Sequence, residues 1–289
     1  MEQLTQAPPS QTLTPCTIVD QKRLFELYQS VPDAQAYAEL LKMEQEWIVP
    51  LAGQFTDEAP SFTSVAELMT AMKEFLVEEG RSSSENHRFL AQDATYEQFK
   101  YVVREFAVDG LTESLSLLAV VPRLPYRSGM AVFRVLIDEL GCGNEAQAHS
   151  QLYRDLLTEL DMPTDMNSYL DIGPESYSYV NLFHWLANRA ESPEYFLGGY
   201  AYFEASVLYG FQSFAHAARR LKIKNHAYYT EHLYIDNFHS KQMRTAIREK
   251  QAETGIDLAK VWAGVRITSA IVGHATEMAI FRSRSVGQS

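Results

Sequence analysis

His232, Asp236 and His239 stand four and then three residues apart. At about 100° of turn per residue, such positions return to one helical face, within roughly 60° of one another. Two imidazoles and a carboxylate on one stripe make half of a site for a first-row transition metal. The neighbours Tyr234, Ile235 and Phe238 point to a largely buried helix, where a polar triplet needs a partner and a metal ion supplies one. The competing reading is a solvated polar face that happens to carry two histidines.

A metal needs further ligands, and acids on apolar stretches are the candidates, because an unpaired buried carboxylate is costly. Glu204 lies in the aromatic run 200–208, Glu139 closes the apolar stretch 132–139, and Glu113 sits just inside a mostly apolar helix after Leu111. His149 offers a neutral nitrogen. The turn 141–143, Gly-Cys-Gly, lies between it and Glu139 and folds the chain so that the two face each other. Glu139 as a surface acid at a helix end and Glu113 on an exposed face are the bland alternatives; Glu204 is the hardest to place on a surface. The other histidines carry less. His184 and His216 read as structural core or pocket residues, His87 and His226 as loop or helix-start residues. His274 with Glu277 forms an i, i+3 pair near the site or a decoy, and Tyr202, Tyr209 and Tyr234 are candidates for a pocket lining.

The elements that must position these residues are helices throughout. Ser64 with Glu67 predicts a capped helix to about 79, followed by a loop over 80–84, and Asp93 or Thr95 opens the next helix. Asp109-Gly110 reads as a break before a helix over 111–121. Asn144 with Gln147 predicts a cap for the helix that carries His149. Longer helices are predicted over 176–188, 193–221, 226–250 and 257–281, with Gly198-Gly199 and Gly210 either kinking the second of these or letting a neighbour come close. No alternating strand pattern or hairpin signal is present. The expectation is an all-α single domain over 19–282, between a flexible tail (1–18) and a frayed end (283–289).

The chain's 289 residues, 46% hydrophobic, are enough for a sizeable core. A formal net charge of −12 argues against nucleic acid and against anionic membrane surfaces as partners. Two cysteines, Cys16 and Cys142, build neither a disulfide framework nor a thiolate zinc site. With no apolar run of about 18 residues and no secretory leader pattern, a soluble cytoplasmic protein is expected.

The array Glu139, His149, Glu204, then His232, Asp236 and His239 resembles the ligand pattern of the haem-oxygenase-like diiron oxidases and oxygenases. The segments 138–143 (Asp-Glu-Leu-Gly-Cys-Gly) and 149–153 (His-Ser-Gln-Leu-Tyr) resemble the acid–glycine–His segment of that superfamily. The resemblance covers roughly residues 90 to 280. It implies a helical bundle of about seven core helices, with extra N-terminal helices, holding two iron ions. Glu139 and His149 would supply the first half of the site, Glu204 would bridge or complete it, and His232, Asp236 and His239 would supply the second. N-oxygenating members carry one extra glutamate on the helix before the Glu…His pair. Glu113, 26 residues ahead of Glu139, matches it, and would support the oxidised irons.

The resemblance therefore implies O2 as co-substrate, an external electron donor, and a small amine or amino acid, free or carrier-bound, as substrate. A reductase, a carrier protein and a homodimer stay open as partners. A multidomain N-oxygenating member also has a cupin domain, for which 289 residues leave no room beside the bundle, so any further reaction is expected of a separate protein. Other outcomes are a desaturating or C–C-cleaving oxidase, a thiaminase-type hydrolase with Cys142 as nucleophile, and a metal-free scaffold. The paired Glu-x-x-His of ferritin-like proteins, zinc-hydrolase motifs and phosphate loops are absent.

Overall fold

Polar side chains at the helix entrances set much of the architecture. Asp20, Asp33, Ser84, Thr95 and Asp257 each accept a hydrogen bond from an amide of the first helical turn, satisfying donors that the helix itself leaves open. A computed structural model describes residues 18–81 and 84–287, in which twelve α-helices and no strand are present. They are α1 (Gln21–Gln29), α2 (Ala34–Asp57), α3 (Val65–Arg81), α4 (Glu85–Gln92), α5 (Tyr96–Glu105), α6 (Ala107–Thr112), α7 (Tyr126–Glu139), α8 (His149–Glu159), α9 (Pro174–His184), α10 (Pro193–Arg220), α11 (Ala227–Thr254) and α12 (Leu258–Ser283). The fold is the all-α, haem-oxygenase-like bundle.

The centre is α10, packed between α11 and α12, with α7 on the far side of α11 and α9 against α12. Close approach of α10 and α12 depends on glycine. A Cβ on Gly198 would lie 1.8 Å from the Val261 carbonyl oxygen, and one on Gly264 would lie 2.1 Å from that of Tyr195. The pair Gly198-Gly199 thus serves packing and not a kink, and α10 runs unbroken to Arg220.

Several boundaries differ from the sequence expectation. The helix through Asp109-Gly110 is continuous, because Gly110 faces the Tyr153 ring at a distance (2.5 Å for an added Cβ) that no other residue fits. The break comes later. Glu113 is extended (φ −43°, ψ 137°), Ser114 is left-handed (φ 65°), and 115–123 form a 3-10 stretch instead of the expected α-helix. The predicted loop at 80–84 is shorter, since Gly80 and Arg81 belong to α3 and Ser84 caps α4, a helix the sequence reading missed. Asn144 caps only a 3-10 turn, Glu145–Gln147, and α8 begins at His149 itself. Ser64 caps α3 as expected, its Oγ accepting from the Glu67 amide at 3.2 Å, but the Glu67 carboxylate receives the Thr63 amide and hydroxyl instead of the Ser64 amide. At the C-terminus, where fraying was expected from 283, Ser283 is fully buried within α12. The carbonyls of Arg284 and Val286 accept from Gln98. The expected N-terminal tail falls almost wholly on residues 1–17, outside the described ones, as do Cys16, Gln288 and Ser289.

Candidate metal centre

Five segments bring the seven candidate residues together. Glu113 comes from the break after α6, Glu139 is the last residue of α7, His149 the first of α8, Glu204 belongs to α10, and the triplet lies on α11. The α7–α8 turn reverses through three consecutive left-handed residues, Gly141, Cys142 and Gly143 (φ 64°, 51° and 84°). A Cβ at Gly141 would press on the Ala148 amide at 2.6 Å, so glycine is required there. The result is a contact of 2.6 Å between His149 Nδ1 and Glu139 Oε2. Ser114 and Cys142 are left-handed non-glycine residues beside Glu113 and Glu139, local strain of the kind that collects where a site over-determines the chain.

The donor atoms form two clusters, one of Glu113, Glu139, His149 and His232, the other of Glu139, Glu204, Asp236 and His239, each with its ligand atoms within 4.8 Å of one another. Glu139 belongs to both. Its Oε2 faces His149, and its Oε1 lies 3.1 Å from His239 Nδ1. In the first cluster His232 Nε2 is 3.0 Å from His149 Nδ1 and 3.2 Å from Glu113 Oε1. In the second, His239 Nδ1 is 3.1 Å from Glu204 Oε2 and 3.3 Å from Asp236 Oδ1. Two ligands about 2.1 Å from one ion and at right angles to it stand about 3.0 Å apart, so these separations suit shared ions. Of the two roles expected for Glu204, bridging or completing the site, its place in the second cluster alone fits completion, while Glu139 stands in both clusters.

Orphaned atoms point the same way. Both carboxylate oxygens of Asp236, and Glu113 Oε2, are buried without a hydrogen-bond partner in the described residues. Such an atom costs about 1–3 kcal/mol when nothing satisfies it. A small cavity of about 30 Å³ lies among Glu113, Glu139, Glu204, His232 and Asp236. His232 Nδ1 donates to the Tyr228 carbonyl at 2.6 Å, which leaves the Nε2 lone pair directed at the cluster. The Tyr228 hydroxyl donates to Glu113 Oε1 at 3.4 Å, and Asp138 Oδ2 stands 3.5 Å from the outer nitrogen of His239.

A family profile described as iron-containing redox enzyme matches residues 100–272, more than half of the chain and the whole of this site. The chain belongs to that haem-oxygenase-like family of iron-containing redox enzymes. It is also 27% identical over 146 residues to a nitrosourea synthase of Streptomyces achromogenes subsp. streptozoticus. The shared segment covers 50% of this chain and 31% of that relative, so the chain corresponds to about a third of its length.

For an iron-containing enzyme the electrostatics are coherent. Burial opposes charge on His232 and His239, yet the surrounding carboxylates outweigh it and hold both rings well above the ordinary histidine range. Burial would raise Glu139, but His149, His239 and His232 hold it well below the usual carboxylate range. Asp236 is pushed up to about 7 by burial and by Glu204. Without metal, then, protons neutralise the cluster, and a metal must displace them. Because the Asp236 pKa is higher folded than unfolded, the metal-free fold loses stability as pH rises from about 4 to about 7, and a bound ion abolishes that loss. The rise in melting temperature on anaerobic Fe(II) addition should therefore grow from pH 5 to pH 8 in thermal scans. A rise that is constant or shrinks over that range contradicts this picture.

Residues outside the ligand set sort differently. Tyr234 and Phe238, which suggested a buried helix, are 65% and 47% exposed; the inward face of this part of α11 is the ligand stripe itself. Tyr202 and Tyr209 line a neighbouring cavity, as does His87, which is no mere helix-start residue: its Nδ1 lies 2.8 Å from Ser213 Oγ. His184 stacks on Tyr28, and burial, then Arg189, push its pKa down to about 4. His216 is exposed at the rim of the same cavity, His226 opens α11, and His274 is half-buried away from the cluster. Cys142 is exposed and donates to Asp138 at 3.3 Å, which raises the thiol pKa, the reverse of what a hydrolytic nucleophile needs. Sequence reasoning overlooked Asp109, read there as part of a turn. Its spacing of four from Glu113 was the available signal.

Proposed function

We propose that this protein is a non-haem diiron, O2-dependent N-oxygenase acting on a small amine or amino acid. The observation that carries the reading is Glu113. The chain breaks α6 there, and the glutamate reaches His232 Nε2 in the first cluster with its side chain only 12% exposed. A seventh donor in the place where the N-oxygenating members of the family have one supports N-oxygenation over desaturation. The match to a nitrosourea synthase, named for a product with an oxidised nitrogen, supports the same choice.

Two irons held in the two clusters would supply the binding and reduction of O2. The overall reaction joins an amine, O2, two electrons and two protons to give a hydroxylamine and water; the electrons come from an external donor. Four carboxylates and three neutral imidazoles offset two divalent ions in charge, which keeps the buried site tolerable. Glu139 would hold both ions, with His149, His232 and Glu113 on one side and Glu204, Asp236 and His239 on the other. Tyr228 orients two of these donors, Glu113 through its hydroxyl and His232 through its carbonyl, and Asp138 stands behind His239. Phe183, Phe203 and Leu117 form the apolar wall of the small cavity.

Incubation of the protein with candidate amines, Fe(II), reductant and ¹⁸O2 should place the label on nitrogen. An unlabelled alkene or a cleaved fragment would establish the oxidase alternative instead. Glu113→Ala should keep most iron through the other six donors and lose N-hydroxylation by about 100-fold or more, the scale expected when a group acting on the reacting centre is removed. A silent Glu113→Ala contradicts the role.

A further inference from the structure

Beside the metal centre lies a cavity of about 630 Å³ between α3, α4, α10 and α12, open to solvent where Gly80, Arg88 and Tyr209 are exposed. Three residues, Asp109, Tyr179 and Phe203, line both this cavity and the small one among the ligands. They form the partition between the solvent-linked chamber and the metal centre. Around it the large cavity is aromatic, with Phe106, Phe211, Phe214 and Tyr229.

Asp109 is the carboxylate of this partition, and the cavity's other acids are engaged elsewhere. Glu79 accepts from Tyr202 and Ser269. Glu277 accepts from Asn86 at 2.7 Å and stands 3.9 Å from His87. Asp109 meets the Tyr179 hydroxyl, and the charged groups that act on it most are Glu113, His232 and Glu139. Burial, and then Glu113, hold its pKa well above the usual carboxylate range, so Asp109, facing a chamber of aromatic rings, keeps a proton until a cation takes its place. A buried carboxylate without a cation is unstable in such a place. A carboxylate set among aromatic rings is also what a nitrogen cation binds to.

We infer that Asp109 is a substrate-binding residue, which seats a nitrogen-centred cation of the substrate at the inner end of the large cavity, next to the metal centre. The substrate class is accordingly an amine that enters with a positive charge on its leading end, while its remainder lies against the rings of the chamber. This rests on the diiron reading, because the cation is seated beside a centre taken to hold two irons.

The test uses the full chain loaded anaerobically with Fe(II), its iron content measured, and calorimetric titration with hexylammonium, hexanol and hexanoate. Hexylammonium should bind at least about 10-fold more tightly than the alcohol, and hexanoate most weakly, as for a charge-assisted contact. Asp109→Asn should remove that preference, weakening the ammonium at least about 10-fold while leaving hexanol within about 2-fold. Glu277→Gln, in the same cavity, should change neither. Equal binding of hexylammonium and hexanol to the unaltered protein overturns the assignment without any variant, as does an Asp109→Asn protein that keeps the preference. About two irons per chain with no ammonium preference sinks the role of Asp109 alone; iron near zero sinks the diiron reading on which it stands.

Discussion

Glu139→Gln should strip metal from both positions at once. The carboxylate is 4% exposed, one oxygen meets His149 and the other His239, and it alone belongs to both donor clusters. An amide presents one carbonyl oxygen and an NH2 group, so it cannot donate a lone pair to each side, and the site loses a negative charge that two cations require. Anaerobic Fe(II) loading of this variant should fall from about two ions per chain to well below one, while Glu204→Gln, confined to one cluster, should retain about one. Because His149, His239 and His232 hold Glu139 in its charged form, the substitution also costs the metal-free protein some stability, so iron is counted on protein that circular dichroism shows to be folded, and Glu204→Gln serves as the matched control. Equal iron retention by the two variants would return the bridging position to Glu204 or to none.

This outcome bears on what the sequence could reveal. The triplet on α11 was legible because helical periodicity is a local property, and four-then-three spacing fixes a common face whatever surrounds it. Glu139 and His149 were legible because glycines on both sides of Cys142 dictate a reversal. Sharing of Glu139 was not, since it depends on the carboxylate standing between His149 of α8 and His239 of α11, a tertiary relation with no short-range signature. Tyr234 and Phe238 misled for the opposite reason. Aromatic residues usually mark the buried face, whereas around Tyr234 and Phe238 the polar stripe of α11 is inside and the rings are outside. Asp109-Gly110 reads as punctuation in the sequence because Gly is a common breaker; in the fold the glycine makes room for Tyr153, and the break follows at Ser114. Asp109 itself gained meaning only from the two cavities it separates.

The largest effect on stability is expected where two helices touch without side chains. Gly198→Ala would drive a methyl group to 1.8 Å from the Val261 carbonyl oxygen, and Gly264→Ala to 2.1 Å from that of Tyr195. In both cases the obstacle is backbone, which cannot rotate away, so α10 and α12 must part. Overpacking of this kind costs typically 1–3 kcal/mol and more when the backbone must move; we expect about 3 kcal/mol or above, roughly 6–12 °C in melting temperature. Gly53, on an exposed face of α2 with nothing within 4 Å of an added Cβ, is the control: Gly53→Ala should stabilise by about 0.5–1 kcal/mol through helix propensity alone. The damage should reach the metal. Glu204 lies on α10 less than two turns beyond Gly198, so shifting α10 moves it away from His239, and iron should be lost from the second cluster before the first. Urea unfolding of the three variants with parallel iron analysis checks both effects. Gly198→Ala within about 0.5 kcal/mol of the parent, with full iron, would mean that the α10–α12 contact yields without cost and does not hold the site.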